Sequence, residues 1–579
     1  MTPRDPAQLV PADVLNTSLT ELLDARPDCP DPAFTWQVHA GDSVTEHTLT
    51  WADLLRRVRS VAGRLEALTE PGDRVAVLSP QNLDYVVGFL AALYAGRVAV
   101  PLPAPQGRAQ IERLTGALTD SAARVWLTSS GTVDAVRALV DADVPGPSGI
   151  LEVDTVPSLA RESRRAAAPV DGGDVAYLQY TSGSTRRPAG AMITHRAIAA
   201  NCWQSAQAYD VDSATTFTGW LPFFHDMGLM LLIAMPVFTG GHSVFTAPLE
   251  FIRRPQRWLR SLQLPNALTA APNFAYDLAV DVVRAGRTGR LDLSGVRATL
   301  NGSEPVRPAT VRAFTEALRP FGFPPEAHRP CYGLAEATVY VSGTGRDGPV
   351  FAVFDRAALA AGRLLPAKAD VGGVELVAAG RSHGQLVRVV DPESAAVVAD
   401  GVVGEVWVWG PHVAAGYWNR PVETAATFDG RLAEPDPGLP ATGWLRTGDL
   451  GARHDGLLYL TGRAKDLIII DGRNHYPHDI EHTVADSHDV LRRDRVAVVA
   501  GRDADGETVV VVAERHGRPL DEQQTRDVTR AVRRAIATRH DVALGALHLV
   551  KPGALPRTSS GKIARSAVRD RWAGDAPAG

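Results

Sequence analysis

The stretch YTSGSTRRPAG, Tyr180 to Gly190, decides how this chain is read. It carries hydroxyl side chains at Tyr180, Thr181, Ser182, Ser184 and Thr185, a glycine at Gly183, and follows the apolar run VAYLQ at 175–179. A glycine among small hydroxyl residues lets successive backbone N–H groups turn toward an anion, and the hydroxyls add donors. These residue types suit a triphosphate. The GxxxxGK[ST] pattern of the common P-loop is absent. A surface turn rich in Ser, Thr and Gly has the same composition, so the rest of the chain must separate the two readings.

On either side of this loop, apolar runs alternate with amphipathic stretches. Residues 74–78 read as a strand, Leu83–Tyr94 as a helix, 98–102 as a strand, 110–118 as a helix and 124–128 as a strand. The pattern returns at 217–221, 226–238, 267–271 and 274–283. Such alternation of period 2 with period 3.6 argues for βαβ units and a largely parallel sheet. The predicted fold class is α/β. At 579 residues the chain is too long for one core. We expect a large N-terminal domain, residues 1–464, of layered βαβ subdomains, and a small α+β C-terminal lid, residues 465–579. The lid has strands of its own at 496–499 and 509–513 and a helix at 522–537.

Composition excludes several classes. A hydrophobic content of 45% and a charged content of 22% are ordinary for a globular chain. A net charge of −5 gives no support to a nucleic-acid partner. The longest apolar run, 227–238, is too short to span a bilayer, and the first residues lack the pattern of a signal peptide. Cys29, Cys202 and Cys331 cannot make a disulfide framework and lack metal-ligand spacing, so a cytoplasmic setting is expected. Of 60 basic residues only Lys368, Lys465, Lys551 and Lys562 are lysines. An ammonium is a compact point charge and a guanidinium a wide fork, so a retained lysine points to a tight site.

Seven further motifs follow the loop: Trp220-Leu-Pro-Phe-Phe-His-Asp-Met-Gly228, Asn301-Gly-Ser-Glu-Pro305, Tyr332-Gly-Leu-Ala-Glu-Ala-Thr338, Gly416-Tyr-Trp-Asn-Arg-Pro421, Thr447-Gly-Asp-Leu-Gly451, Gly462-Arg-Ala-Lys-Asp-Leu-Ile468 and Pro556-Arg-Thr-Ser-Ser-Gly-Lys562. In this order and spacing the chain, from about 15 to 570, resembles the adenylate-forming superfamily of acyl-CoA synthetases, nonribosomal adenylation domains and luciferases. The resemblance implies ATP and Mg²⁺ as cofactors and a carboxylate substrate joined to the α-phosphate. It implies that Thr181, Ser182, Gly183, Ser184 and Thr185 hold the phosphates. Tyr332 would stack on adenine, Gly333 would leave room for the nucleotide, and Ser303 and Glu304 would border the base. Glu336 would bind Mg²⁺, Asp449 the ribose hydroxyls, and Arg463 the ribose or a phosphate. Lys562 would bridge carboxylate and α-phosphate, His225 would line the carboxylate end of the acyl pocket, and Lys465 would be the hinge between the domains. The chain departs from the usual pattern at Arg186, in place of a glycine, and at Ala189, in place of a lysine; Arg186 or Arg187 would compensate. Ala335 stands where many relatives carry threonine.

Residues 344–380 resemble the insertion that separates fatty acyl-AMP ligases from fatty acyl-CoA ligases, with a core at about 351–373. Phe354 to Gly362 reads as a strand end entering a short helix, whose apolar residues Leu359, Leu364 and Leu365 are expected to pack on the large domain. The implied function is a fatty acyl-AMP ligase that passes its acyl group to the phosphopantetheine thiol of a separate acyl carrier protein, since no carrier-like stretch follows residue 570. A fatty acyl-CoA ligase and a catalytically dead AMP-binding regulatory protein are the alternatives.

Overall fold

Two sheets that share one apolar core form the large part of the computed structural model, which describes residues 9–105, 108–140, 146–158, 166–180, 188–368, 373–503, 506–557 and 562–573. One sheet has the strand order Gly149–Glu152, Val125–Thr128, Arg74–Val77, Val98–Pro101, Val175–Tyr180, Gly190–Thr194. Its neighbours run parallel except the last pair, an antiparallel hairpin whose connection is the quoted loop. The other has eight strands, in the order Tyr340–Gly343, His328–Gly333, Val296–Gly302, Ala267–Pro272, Thr216–Gly219, His242–Phe245, Pro32–Ala40, Ser43–Thr50. The α/β expectation is met.

Helix Leu83–Tyr94 shows why these sheets meet. Its residues are buried on every face except at Asp84, and Asn82 caps its start by accepting from Tyr85 N at 3.1 Å. A helix that is apolar all round must be covered all round, and its cluster draws on Val75 and Val77 from one sheet and Phe217 and Leu268 from the other. Each such side chain removed from water contributes about 1.5–3 kcal/mol.

The apolar run after His225 is not the single helix that its pattern predicts. It begins as helix Asp226–Leu229, widens into a π turn at Met230–Ala234, and resumes as Met235–Thr239. Pro236 has no N–H to give to the carbonyl of Leu232. That carbonyl instead accepts from Ser243 Oγ at 2.8 Å, from the neighbouring strand.

A four-stranded antiparallel sheet, Leu386–Val390, Gly404–Trp409, Leu445–His454 and Leu457–Arg463, adds its own core. Val387, Val406, Val408, Leu445 and Leu458 pack with Tyr332, Ala337 and Val341, which brings the Thr447–Gly451 motif against the Tyr332 motif. Beyond residue 467 a separate core forms from Ile468, Ile480, Val496, Val511, Val532 and others. It joins strands Leu491–Asp503, Gly506–Arg515 and Leu544–Val550 to helices Pro477–Ala485 and Glu522–His540. Among the described residues no helix is long and apolar enough to cross a membrane.

The insertion makes strand Phe351–Asp355, paired antiparallel to Gly373–Val377, and helix Arg356–Ala360, capped by Asp355 through Ala358 N at 2.7 Å. Phe354, Leu359 and Leu364 are buried with Ala452 and Tyr459 of the large part, and with Tyr476 beyond the hinge motif. Leu364 is 1% exposed, but Leu365 is 43% exposed, which corrects the expectation that both pack inward. The two lie on extended chain, with Leu364 N bonded to Gly401 O and Leu365 O to Asp355 N, and successive side chains of extended chain point to opposite sides.

Candidate active site

Thr181, Ser182, Gly183, Ser184 and Thr185 lie outside the described residues, as do Arg186 and Arg187. The ends of their loop are firmly held. Tyr180 Oη donates to Asp120 Oδ2 at 2.7 Å, and Arg420 Nη2 donates to Pro188 O at 2.9 Å. Trp418 N bonds to Gly190 O and Met192 N to Gly416 O, so the Gly416–Pro421 motif runs beside the strand that leaves the loop.

Tyr332 lies near the end of strand His328–Gly333 and is buried. Its Oη donates to Asp449 Oδ2 at 2.8 Å, while Arg463 Nε donates to Asp449 Oδ1 at 3.1 Å. The second contact follows from strand register, since Asp449 and Arg463 are directly paired partners in adjacent strands. An ionised carboxylate has about four acceptor positions, so Asp449 keeps capacity for further donors. A Cβ at Gly333 would lie 1.7 Å from Val339 O, so the turn itself demands glycine there.

Glu336 sits in the 3₁₀ turn Ala335–Ala337, and its Oε1 accepts from Tyr417 Oη at 2.7 Å. Tyr417 has no role in the reading of the sequence, although it lies inside a quoted motif. Thr338 follows with φ 63°, a conformation unusual for a β-branched residue; its Oγ1 donates to His412 O at 2.7 Å. Ser303, in the Asn301–Pro305 motif, also has a positive φ, 70°. Strained backbone of this kind persists where surrounding structure imposes it and clusters at functional sites. Glu304 turns back to accept from Phe274 N at 2.8 Å.

His225 Nδ1 lies 2.6 Å from Asp226 Oδ1. Burial alone would raise the Asp226 carboxyl, but His225, Lys562 and the Met227 N–H outweigh it and hold it below the usual carboxylate value. Lys562, from the far end of the chain, is therefore in this site. Burial lowers its value, Asp226 chiefly opposes, Arg463 lowers it further, and Glu304 and Asp449 also oppose. Burial raises Glu304, and Phe274 N–H, Lys562 and Arg307 oppose while Asp494 adds. Three carboxylates from three separated motifs thus act on one ammonium. Its loop is anchored by Arg565, which donates to Glu481 at 2.7 and 3.0 Å and reaches Asp466 at 3.5 Å. Lys465 lies in the adjacent 3₁₀ turn Ala464–Asp466.

Beside the site, burial raises Asp277 to about 6, with Arg307 and Thr310 opposing and Asp494 and Glu304 adding. Its folded value lies above its ordinary 3.8, so the stability it contributes is fully present below about pH 4 and is lost as pH rises through about 6. Asp277→Asn should flatten the pH dependence of the thermal midpoint between pH 4 and 7. A slope equal to that of the unaltered protein would contradict the assignment.

The AMP-binding enzyme family matches residues 25–418, and the family described as Disco-interacting protein 2-like, AMP domain, matches residues 465–576. The chain is 42% identical over 572 residues to the long-chain-fatty-acid–AMP ligase FadD26 of Mycobacterium marinum, covering 96% of this chain and 97% of that one. Among solved structures, one from a study of fatty acyl-adenylate ligases of E. coli and L. pneumophila superposes with a TM-score of 0.85 at 31% identity, covering 96% and 98%. A fatty acyl-adenylate ligase of L. pneumophila, in complex with acyl adenylate and pyrophosphate, gives 0.74 at 32% identity, covering 96% and 97%.

Proposed function

The chain belongs to the AMP-binding enzyme family, and from that premise we propose that it is a fatty acyl-AMP ligase. A fatty acid carboxylate oxygen attacks the α-phosphorus of ATP, forming acyl-AMP and releasing pyrophosphate. The thiol of a separate holo acyl carrier protein then attacks the acyl carbonyl, forming a thioester and releasing AMP. The observation that supports this reading is that Lys562, far along the chain, feels the charges of Asp226, Glu304 and Asp449 together. Two anions must meet in the first step, and a cation held there stabilises the charge that develops between them.

The other roles are part of the same proposal. Asp449 would accept from the ribose hydroxyls, and Arg463 would orient it. Tyr332 would stack on adenine while its hydroxyl steadies Asp449. Ser303 and Glu304 would border the base. The residues at 181–185 would hold the β- and γ-phosphates. His225, kept in place by Asp226, would face the substrate carboxylate.

Among the described residues no cluster of three His, Cys, Asp or Glu side chains is arranged to hold a metal ion. Mg²⁺ binds through one or two carboxylates together with substrate phosphates, which fits Glu336 alone, oriented by Tyr417. The ion would supply neutralising charge at the phosphates. The reading takes residues 1–464 as the adenylating domain and 465–579 as its lid, turning at Lys465.

The insertion favours an acyl-AMP product over acyl-CoA. Its buried Phe354, Leu359 and Leu364 share one cluster with Tyr459 and Tyr476, so it ties the large part to the start of the lid. Mass spectrometry of the products made with CoA and with holo carrier protein tests the function. Acyl-AMP and acyl-carrier product support it, and efficient acyl-CoA synthesis by the unaltered protein refutes it. Leu364→Asp should loosen the cluster, since a buried leucine is worth about 1.5–3 kcal/mol. Acyl-CoA should then become detectable; no gain would show that the insertion does not exclude CoA through this contact.

A further inference from the structure

Arg307 follows the Asn301–Pro305 motif and is half-buried. One side of its guanidinium pairs with Asp277, on helix Asn273–Arg284 of the large part. The other side, through Nη1, meets Asp494 Oδ1 at 2.6 Å. Asp494 belongs to the C-terminal part. It lies in strand Leu491–Asp503 where the register with the next strand shifts between Leu491 and Val496, and its φ is 57°. Aspartate tolerates the left-handed region better than most residues, but the conformation is still uncommon outside glycine. Arg492 and Arg495, on either side, both turn to Glu514, at 2.7 and 3.8 Å. The bulge therefore presents an acid to the large part and keeps its basic neighbours occupied.

This contact is coupled to Lys562 in two ways. Glu304, three residues before Arg307, feels the charges of Asp494, Lys562 and Arg307 together. The strand that carries Asp494 is also bonded to the lysine's loop: Val498 N donates to Glu481 Oε1 at 3.0 Å, and Glu481 holds Arg565, three residues beyond Lys562. One chain of hydrogen bonds thus links the strand of Asp494, through Glu481 and Arg565, to the segment that carries Lys562. Arg307 is also paired with Asp277, a contact made within the large part and independent of the C-terminal part.

We propose that Arg307 is a positioning residue for adenylation, receiving Asp494 only when the C-terminal part is turned to bring Lys562 into the site. The proposal rests on the adenylating function above, but its test has an arm that does not. Asp494→Asn keeps the Arg307–Asp277 pair and removes the charge that docks. In fatty-acid-dependent ATP–pyrophosphate exchange with dodecanoate, its kcat should fall about tenfold, the change expected when a charge-assisted contact that sets a two-state population is lost. The KM for dodecanoate should change less than twofold, and Asp494→Glu should recover part of the rate. Independently, hydrogen exchange of amides 563–568 should be slowed by ATP in the unaltered protein and not in Asp494→Asn, with amides 267–271 unchanged in both. Equal ATP protection at 563–568 in both proteins overturns the proposal, whether or not dodecanoate is a substrate. An exchange rate unaffected by Asp494→Asn does so as well. A protein that shows the protection difference but no pyrophosphate exchange with any fatty acid would refute the function and keep the docking role.

Discussion

Lys562→Ala is expected to lower fatty-acid-dependent ATP–pyrophosphate exchange about 10²–10³-fold, the usual cost of one group aimed at developing charge in a closed site. The lysine is half-buried, and the opposition of Asp226, Glu304 and Asp449 to its loss of charge shows how much negative potential the site holds for it. Removing the ammonium leaves those carboxylates facing an incoming triphosphate and a fatty acid carboxylate, which is repulsive in every combination. Arginine is not an equivalent replacement, because a planar fork needs more room than an ammonium. Transfer to holo carrier protein from supplied acyl-AMP should stay within about threefold of the unaltered rate, as the phosphorus–oxygen bond has already formed. Rapid-quench measurement of both half-reactions decides the matter. An equal fall in both would remove Lys562 from the chemistry of the first step.

Lys465→Pro is expected to do the opposite, leaving adenylation within about threefold and lowering carrier loading about 10²-fold. Lys465 sits in the first turn of the 3₁₀ segment Ala464–Asp466, with Leu467 N bonded to Arg463 O at 3.1 Å. Proline is tolerated in a first turn, and its φ near −65° lies inside the 3₁₀ range. The arrangement described here should therefore survive. A second arrangement, reached by rotating the backbone at one or two hinge residues, should not. Misplacing reacting groups by about 1 Å already costs about 10²-fold. The same rapid-quench assay reads both steps, and a parallel fall in adenylation would show that residue 465 is not where the chain turns.

The local parts of this protein were legible in its sequence. Helix Leu83–Tyr94 has the bounds read from its apolar run, because the run is too long for a strand and Asn82 caps its start. The parallel strands showed as short β-branched runs, and the order of the motifs named the kind of site before any geometry. Pro236 was visible too, but its effect was not. Whether proline stops, kinks or widens a helix depends on who satisfies the freed carbonyl, and Ser243 belongs to another element.

Tertiary structure decided everything that joins distant residues. The sequence marks Tyr332 and Asp449 as members of separate motifs; only packing of the four-stranded sheet on the Tyr332 cluster brings them to 2.8 Å. Nothing local distinguishes Arg307 from the other arginines, or Asp494 from its neighbours in LRRDR, until docking places them 2.6 Å apart. Leu364 and Leu365 are identical by composition and opposite by burial, since facing direction depends on the strand they lie beside. Periodicity and motif chemistry are properties of neighbouring residues and can be read along the chain. Ion pairs, shared carboxylates and the side a residue faces depend on the relative placement of whole elements, which is set by cores such as the one around Phe354, Tyr459 and Tyr476.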